Sequence, residues 1–175
     1  MLLFGKKSQT IVAMVLSAAL TTAAHAAGTE SRTSKFHPPQ TAQERWLDAV
    51  LHKADALEPD LTPYMVGNPE APQSVKSFVT QNFTPELIKN LTQKEKEEIQ
   101  KNCNGQNRAD EICGTDYLPW ACVQDMSEKI EYKTIKGSDI NTHTTVIEMR
   151  LENEPRPKAT YTITGKKIGG IQCHF

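Results

Sequence analysis

The apolar positions of the first half of the chain follow a helical rhythm. Trp46, Val50, Ala54 and Leu57 recur at helical spacing, and Leu47 and Leu51 widen the stripe. Thr41-Ala42-Gln43-Glu44, just ahead, has the S/T-x-x-E order of a capping box, so a first helix is predicted from there to a point before Pro59. Residues 59 to 72 carry Pro59, Pro63, Gly67, Pro69 and Pro72, a density that predicts an ordered loop without regular structure. Val75, Phe78, Val79 and Phe83 mark a second, short helix. Thr84-Pro85-Glu86 restarts the chain as a third, with Thr84 as cap and proline at the first helical position. Its buried side is Leu87, Ile88 and Leu91. Thr92 to Glu95 repeats the capping-box pattern, and the charged run TQKEKEEIQ from Thr92 to Gln100 predicts a solvated continuation ending at Asn104-Gly105.

After Cys122 the period falls to two. Ile130, Tyr132 and Thr134 alternate, then Thr145, Ile147, Met149 and Leu151, then Ala159, Tyr161 and Ile163, and a last short segment runs from Lys167 to Cys173. Four strands are predicted, joined at residues 139–141, 154–157 and 165–166 by turns short enough for antiparallel neighbours. Gly169-Gly170 inside the last strand predicts a bulge or bend. Helices first and a meander afterwards make an α+β domain, with the helices expected on one face of a curved sheet.

The N-terminal end departs from this pattern. Lys6 and Lys7 precede the apolar run Ile11 to Leu20, and Ala24-His25-Ala26 supplies an A-x-A site, the order of a secretory signal peptide over residues 1–26. The uncharged run is too short for a hydrocarbon core that needs roughly 20 residues. We therefore expect cleavage after Ala26, no membrane anchor and a periplasmic product. The first cysteine, Cys103, lies far from the cut, so no lipid anchor is expected either. Residues 27–40 are polar, hold a Pro-Pro and lack any period, which predicts a flexible leader ahead of one domain over 41–175. Losing Lys6 and Lys7 leaves 18 basic against 21 acidic side chains, a formal charge of −3. Such mild acidity excludes nucleic acid and an anionic membrane surface as partners.

Export also decides how the cysteines are read. Cys103, Cys113, Cys122 and Cys173 are an even set, which in an exported chain points to two disulfides with three possible pairings. We favour Cys103 with Cys113, which would close a polar loop, and Cys122 with Cys173, which would tie the last strand to the middle of the domain. By chain entropy the first is worth roughly 2 to 3 kcal/mol and the second roughly 4. The competing reading is a zinc site completed by His143 or His174. Zinc sites favour closely paired cysteines, which the spacings here do not supply, so no metal is expected.

Cys122-Val123-Gln124-Asp125, followed by short strands and a terminal Ile171-Gln172-Cys173, resembles an uncharacterised family of exported bacterial NTF2-like (cystatin-like) domains. The resemblance covers about residues 43 to 175. It implies a curved sheet wrapped round helices as a cone with an internal pocket, and a bridge between Cys122 and Cys173. It implies no reaction.

Candidate contact residues cluster near the cysteines. Asp116-Tyr117-Leu118-Pro119-Trp120 is a stiff turn with two large aromatics, suited to meeting a partner or ligand unless both rings pack over the end of the core. Gln124 and Asp125 follow. In a cone-shaped pocket Asp125 can act as a base if burial raises its pKa, whereas the plainer reading has both residues bridging the turn into the first strand. His143 is a further candidate, alone or paired with Asp125. No nucleophile elbow, zinc-protease helix or phosphate loop occurs, and no catalytic residue or cofactor is expected. The expectation is a non-catalytic periplasmic binding or inhibitory protein with a protein partner, of the type of immunity proteins that block toxins acting in that compartment. The alternative is a pocket enzyme or small-ligand carrier.

Overall fold

Thr41 begins the first helix as its pattern requires. In the computed structural model its Oγ1 accepts from the Glu44 N–H, and Glu44 Oε2 accepts in return from the N–H groups of Thr41 and Gln40. The structure describes residues 35–106, 111–126, 129–136 and 143–175. The expected signal peptide and the leader as far as residue 34 lie outside the described residues. Helix α1 (Ala42–Asp55) buries Leu47, Val50, Leu51 and Ala54, while Trp46 and Leu57 stay partly exposed. The stripe is therefore centred one residue further along than the Trp46 spacing predicts.

The proline-rich stretch is not free of regular structure. A one-turn helix α2 (Leu61–Met65) forms there and buries Leu61 and Met65. Pro63 is its third residue, where a backbone N–H would have no intrahelical acceptor, so the ring costs nothing. Helix α3 (Gln73–Asn82) follows Pro72 and buries Val75, Phe78 and Val79. Phe83 then extends and is fully enclosed, and the Thr84 N–H donates to Ile168 O at 3.0 Å. Helix α4 (Pro85–Cys103) starts at Thr84, whose Oγ1 accepts from Leu87 N, and ends at Asn104, left-handed at φ 51°, just before Gly105. The second capping-box pattern is not used. Thr92 sits inside α4, and its hydroxyl faces Met65 O at 3.5 Å.

The strands β1 (Ile130–Lys136), β2 (Thr144–Leu151), β3 (Ala159–Thr164) and β4 (Lys167–Cys173) form one antiparallel sheet in the order β1-β2-β3-β4. The register shifts between Thr134 and Lys136, and again where Thr162 pairs Gly170 while Ile163 pairs Ile168. Gly169 is the extra residue, so the bulge falls at the Gly-Gly pair. Ile147, Met149, Tyr161 and Ile163 join Leu47, Leu51, Phe83 and Trp120 in one buried cluster. The alternate positions of β1 and β2 carry cross-strand ion pairs, Glu131 with Arg150 and Lys133 with Glu148.

Two links fix α1 to β1: Tyr132 Oη donates to Asp48 at 2.9 Å, and Thr134 Oγ1 donates to Glu44 Oε1 at 2.7 Å. Burial pulls the Glu44 carboxyl upward, but the bonds from Thr134 and from the Thr41 and Gln40 backbone, with His37 close by, hold it below the usual range. Burial, reinforced by Asp48, pushes the Tyr132 hydroxyl far up, and burial does the same to Tyr161. The described end of the leader is engaged with the domain. His37 exchanges two backbone hydrogen bonds with Tyr132, at 3.0 and 2.8 Å, and the Phe36 ring lies 4.5 Å from the Arg150 guanidinium carbon. Among the described residues no helix is long and apolar enough to cross a membrane.

Candidate functional site

Both disulfides have the favoured pairing, Cys103 with Cys113 and Cys122 with Cys173. Between Cys113 and Cys122 the chain has eight residues that are neither helix nor strand, and three separate contacts hold it. Gly114 lies so close to α4 that an added Cβ would stand 1.8 Å from Glu95 Oε1. Glu95 Oε2 accepts from both the N–H and the hydroxyl of Thr115, each at 2.9 Å. Lys94 Nζ donates to Tyr117 Oη at 2.6 Å; the ammonium is 5.3 Å from the ring centroid, so its partner is the oxygen rather than the π face. The charged run of α4, read as a solvated face, thus supplies two residues that position the loop.

The loop then folds back on itself. Leu118 accepts from the N–H groups of Ala121 and Cys122 and donates to Val123 O, and Cys122 is left-handed at φ 61° where the bridge to Cys173 anchors it. This turn drives Trp120 inward. Its ring is fully buried, its Nε1 donates to Glu58 Oε1 at 3.0 Å, and its carbonyl accepts from Tyr161 Oη at 3.0 Å. Trp120 is therefore not the contact residue that the loop composition suggested: an indole with its N–H satisfied and no exposed surface serves the core. Tyr117 keeps the exterior role and packs against Phe175, ring centroids 4.9 Å apart.

Beside this pair lies a cleft of about 790 Å³. It brings together four of the predicted residues, Asp116, Tyr117, Gln124 and Asp125. The opposite wall is the turn between β2 and β3, with Glu154, Arg156 and Lys158, and His174 closes the end. Lys158 pairs with Glu154 at 3.3 Å, and His174 Nε2 meets Thr160 Oγ1 at 2.8 Å. Arg156 is exposed between Pro155 and Pro157, and no hydrogen bond or ion pair among the described residues engages it. Four charged or aromatic wall residues, Arg156, Glu154, Lys158 and Phe175, escaped sequence reasoning as site candidates. The Pro-Arg-Pro triplet was the available signal for the first.

His143 is not part of this site. It precedes β2 and accepts from the Gly165 N–H at 3.2 Å, whereas the cleft touches Leu151 at the other end of β2, about 25 Å away at strand rise. That separation removes the pairing of Asp125 with His143. Asp125 is exposed, so the burial required for a base is missing too. The zinc reading also fails at the sulfurs: Cys103, Glu111 and Cys113 lie within 4.8 Å of one another, but both cysteines are spent in a disulfide. No family model, curated protein or solved structure matches the chain.

Proposed function

We propose that this is a non-catalytic binding or inhibitory protein of the bacterial periplasm, exported by residues 1–26, that engages a protein partner through the Tyr117 rim of the cleft. The observation that carries this reading is the contrast between inside and outside. Trp120, Tyr132, Tyr161 and Phe83 fill the interior with less than 2% exposure each, so the inside of the domain, where a cone-shaped pocket was expected, is packed with side chains. Tyr117, half-buried on a loop braced by Glu95, Lys94 and a disulfide on either flank, meets the exposed Phe175 ring that follows β4 at the surface. A loop so braced, with its aromatic already ordered at the surface, loses little entropy on binding, which favours a partner surface over a pocket enzyme or carrier.

Within this reading the helices line one face of a curved NTF2-like sheet. The two register shifts and the links from α1 to β1 support that arrangement. The specific role we infer is immunity: plugging the site of a toxin that acts in the same compartment. The test is survival of cells challenged in the periplasm by a toxin encoded beside the gene, with the protein present or absent, together with capture of that toxin on the immobilised oxidised protein. Protection that Tyr117→Ala abolishes supports the reading. Equal killing in both strains, with no toxin captured, ends it.

A further inference from the structure

Two of the three large apolar side chains exposed among the described residues, Ile112 at 73% and Phe175 at 87%, converge on the same place. Tyr117, Phe175 and Asp116 line the 790 Å³ cleft and also a second cavity of about 350 Å³ that Ile112 and Asn102 border. The aromatic pair is therefore a ridge between two hollows, not the edge of one. Charges around it are mostly spoken for: Lys158 by Glu154, Lys94 by Tyr117 Oη, Glu98 by Lys101 at 3.8 Å, and Asp125 by a contact of its own. Arg156 and Asp116 have no partner among the described residues. Arg156 sits between two prolines, so its backbone has little freedom left to lose on binding.

We infer that the ridge recognises a loop of a partner protein carrying three elements in one patch: an apolar side chain seated beside Tyr117 and Phe175, a carboxylate for Arg156, and a cationic side chain for Asp116. This rests on the binding function proposed above and adds to it the chemistry of the partner. Arginine paired to a carboxylate at the edge of an aromatic contact is a common source of interface energy and of partner choice. The two unpartnered charges have opposite sign, so the surface selects a mixed-charge loop and rejects a uniformly acidic or basic one.

The test is parallel selection of a disulfide-constrained random peptide library displayed on phage, panned against the oxidised wild-type protein and against Arg156→Glu and Asp116→Lys. Both substitutions are at exposed positions, and peptide mapping of the two bridges verifies the fold of each variant. Wild-type protein should select peptides combining an apolar residue with both an acid and a base, and Arg156→Glu should weaken them about tenfold. Selection on Arg156→Glu should deplete acids, and selection on Asp116→Lys should deplete bases. Ligands whose charges are the same for all three targets, or no ligand at all, overturn the inference. Binders indifferent to Arg156 and Asp116 but lost in Tyr117→Ala would leave the binding function standing while removing the charge code.

Discussion

Glu44 shows how much one side chain can be asked to hold. Its carboxylate closes the capping box of α1 and accepts the Thr134 hydroxyl from β1 while fully enclosed. Because its folded pKa is depressed, its contribution is fully present above the ordinary glutamate value of about 4.3 and disappears as the pH falls through the lower folded value. Glu44→Gln should cost about 1 to 3 kcal/mol at neutral pH, and urea titrations repeated downward from pH 6 should show the gap to wild type narrowing. A gap that widens on acidification would contradict the sign. Half of this was legible: S/T-x-x-E announced the cap, but nothing local announced Thr134, ninety residues away. Trp120 was misplaced for the same reason, since its acceptor Glu58 lies sixty-two residues upstream.

Elements repeat the lesson with a different cause. Start signals rest on neighbours three residues apart, so Thr41 and Thr84 were readable as caps. Thr84→Ala should destabilise by about 1 kcal/mol in thermal or urea unfolding. The Thr92 pattern met the same rule and failed it, because a helix already nucleated at Pro85 propagates through a threonine at lower cost than it stops. The loop from Cys113 to Cys122 depends on a contact invisible to spacing, Gly114 against Glu95. Gly114→Ala should expel that carboxylate from Thr115, and Glu95→Ala should have the same effect on the loop. A double-mutant cycle read by partner binding or by unfolding should therefore be strongly non-additive, with the second substitution adding little to the first. Additive losses would mean the two groups act separately.

At the scale of the molecule, the two bridges contribute unequally. Cys122–Cys173 spans 51 residues and Cys103–Cys113 spans 10, so chain entropy gives roughly 4 against roughly 2.7 kcal/mol. Replacing the first pair by alanine should lower the melting temperature more than replacing the second, as scanning calorimetry of the two variants would show. The reverse order would place the stabilisation in native packing instead. The α+β order of helices and strands, the meander and the bulge could be read from period and glycine alone. The cleft could not, since its walls come from the loop before β1, the turn after β2 and the residues after β4, which meet only once the sheet has formed.

The pairing of His37 with Tyr132 matters for what the sheet does not do. An edge strand with open N–H and C=O groups is a template for the matching edge of another molecule. Here the segment at residues 36–37 lies along β1, its imidazole beside Glu44 and its phenyl ring against Arg150, and occupies part of that template. A form of the protein trimmed to begin at Thr41 should accordingly associate through β1 and elute as dimers or larger species, while the longer chain guards its own edge.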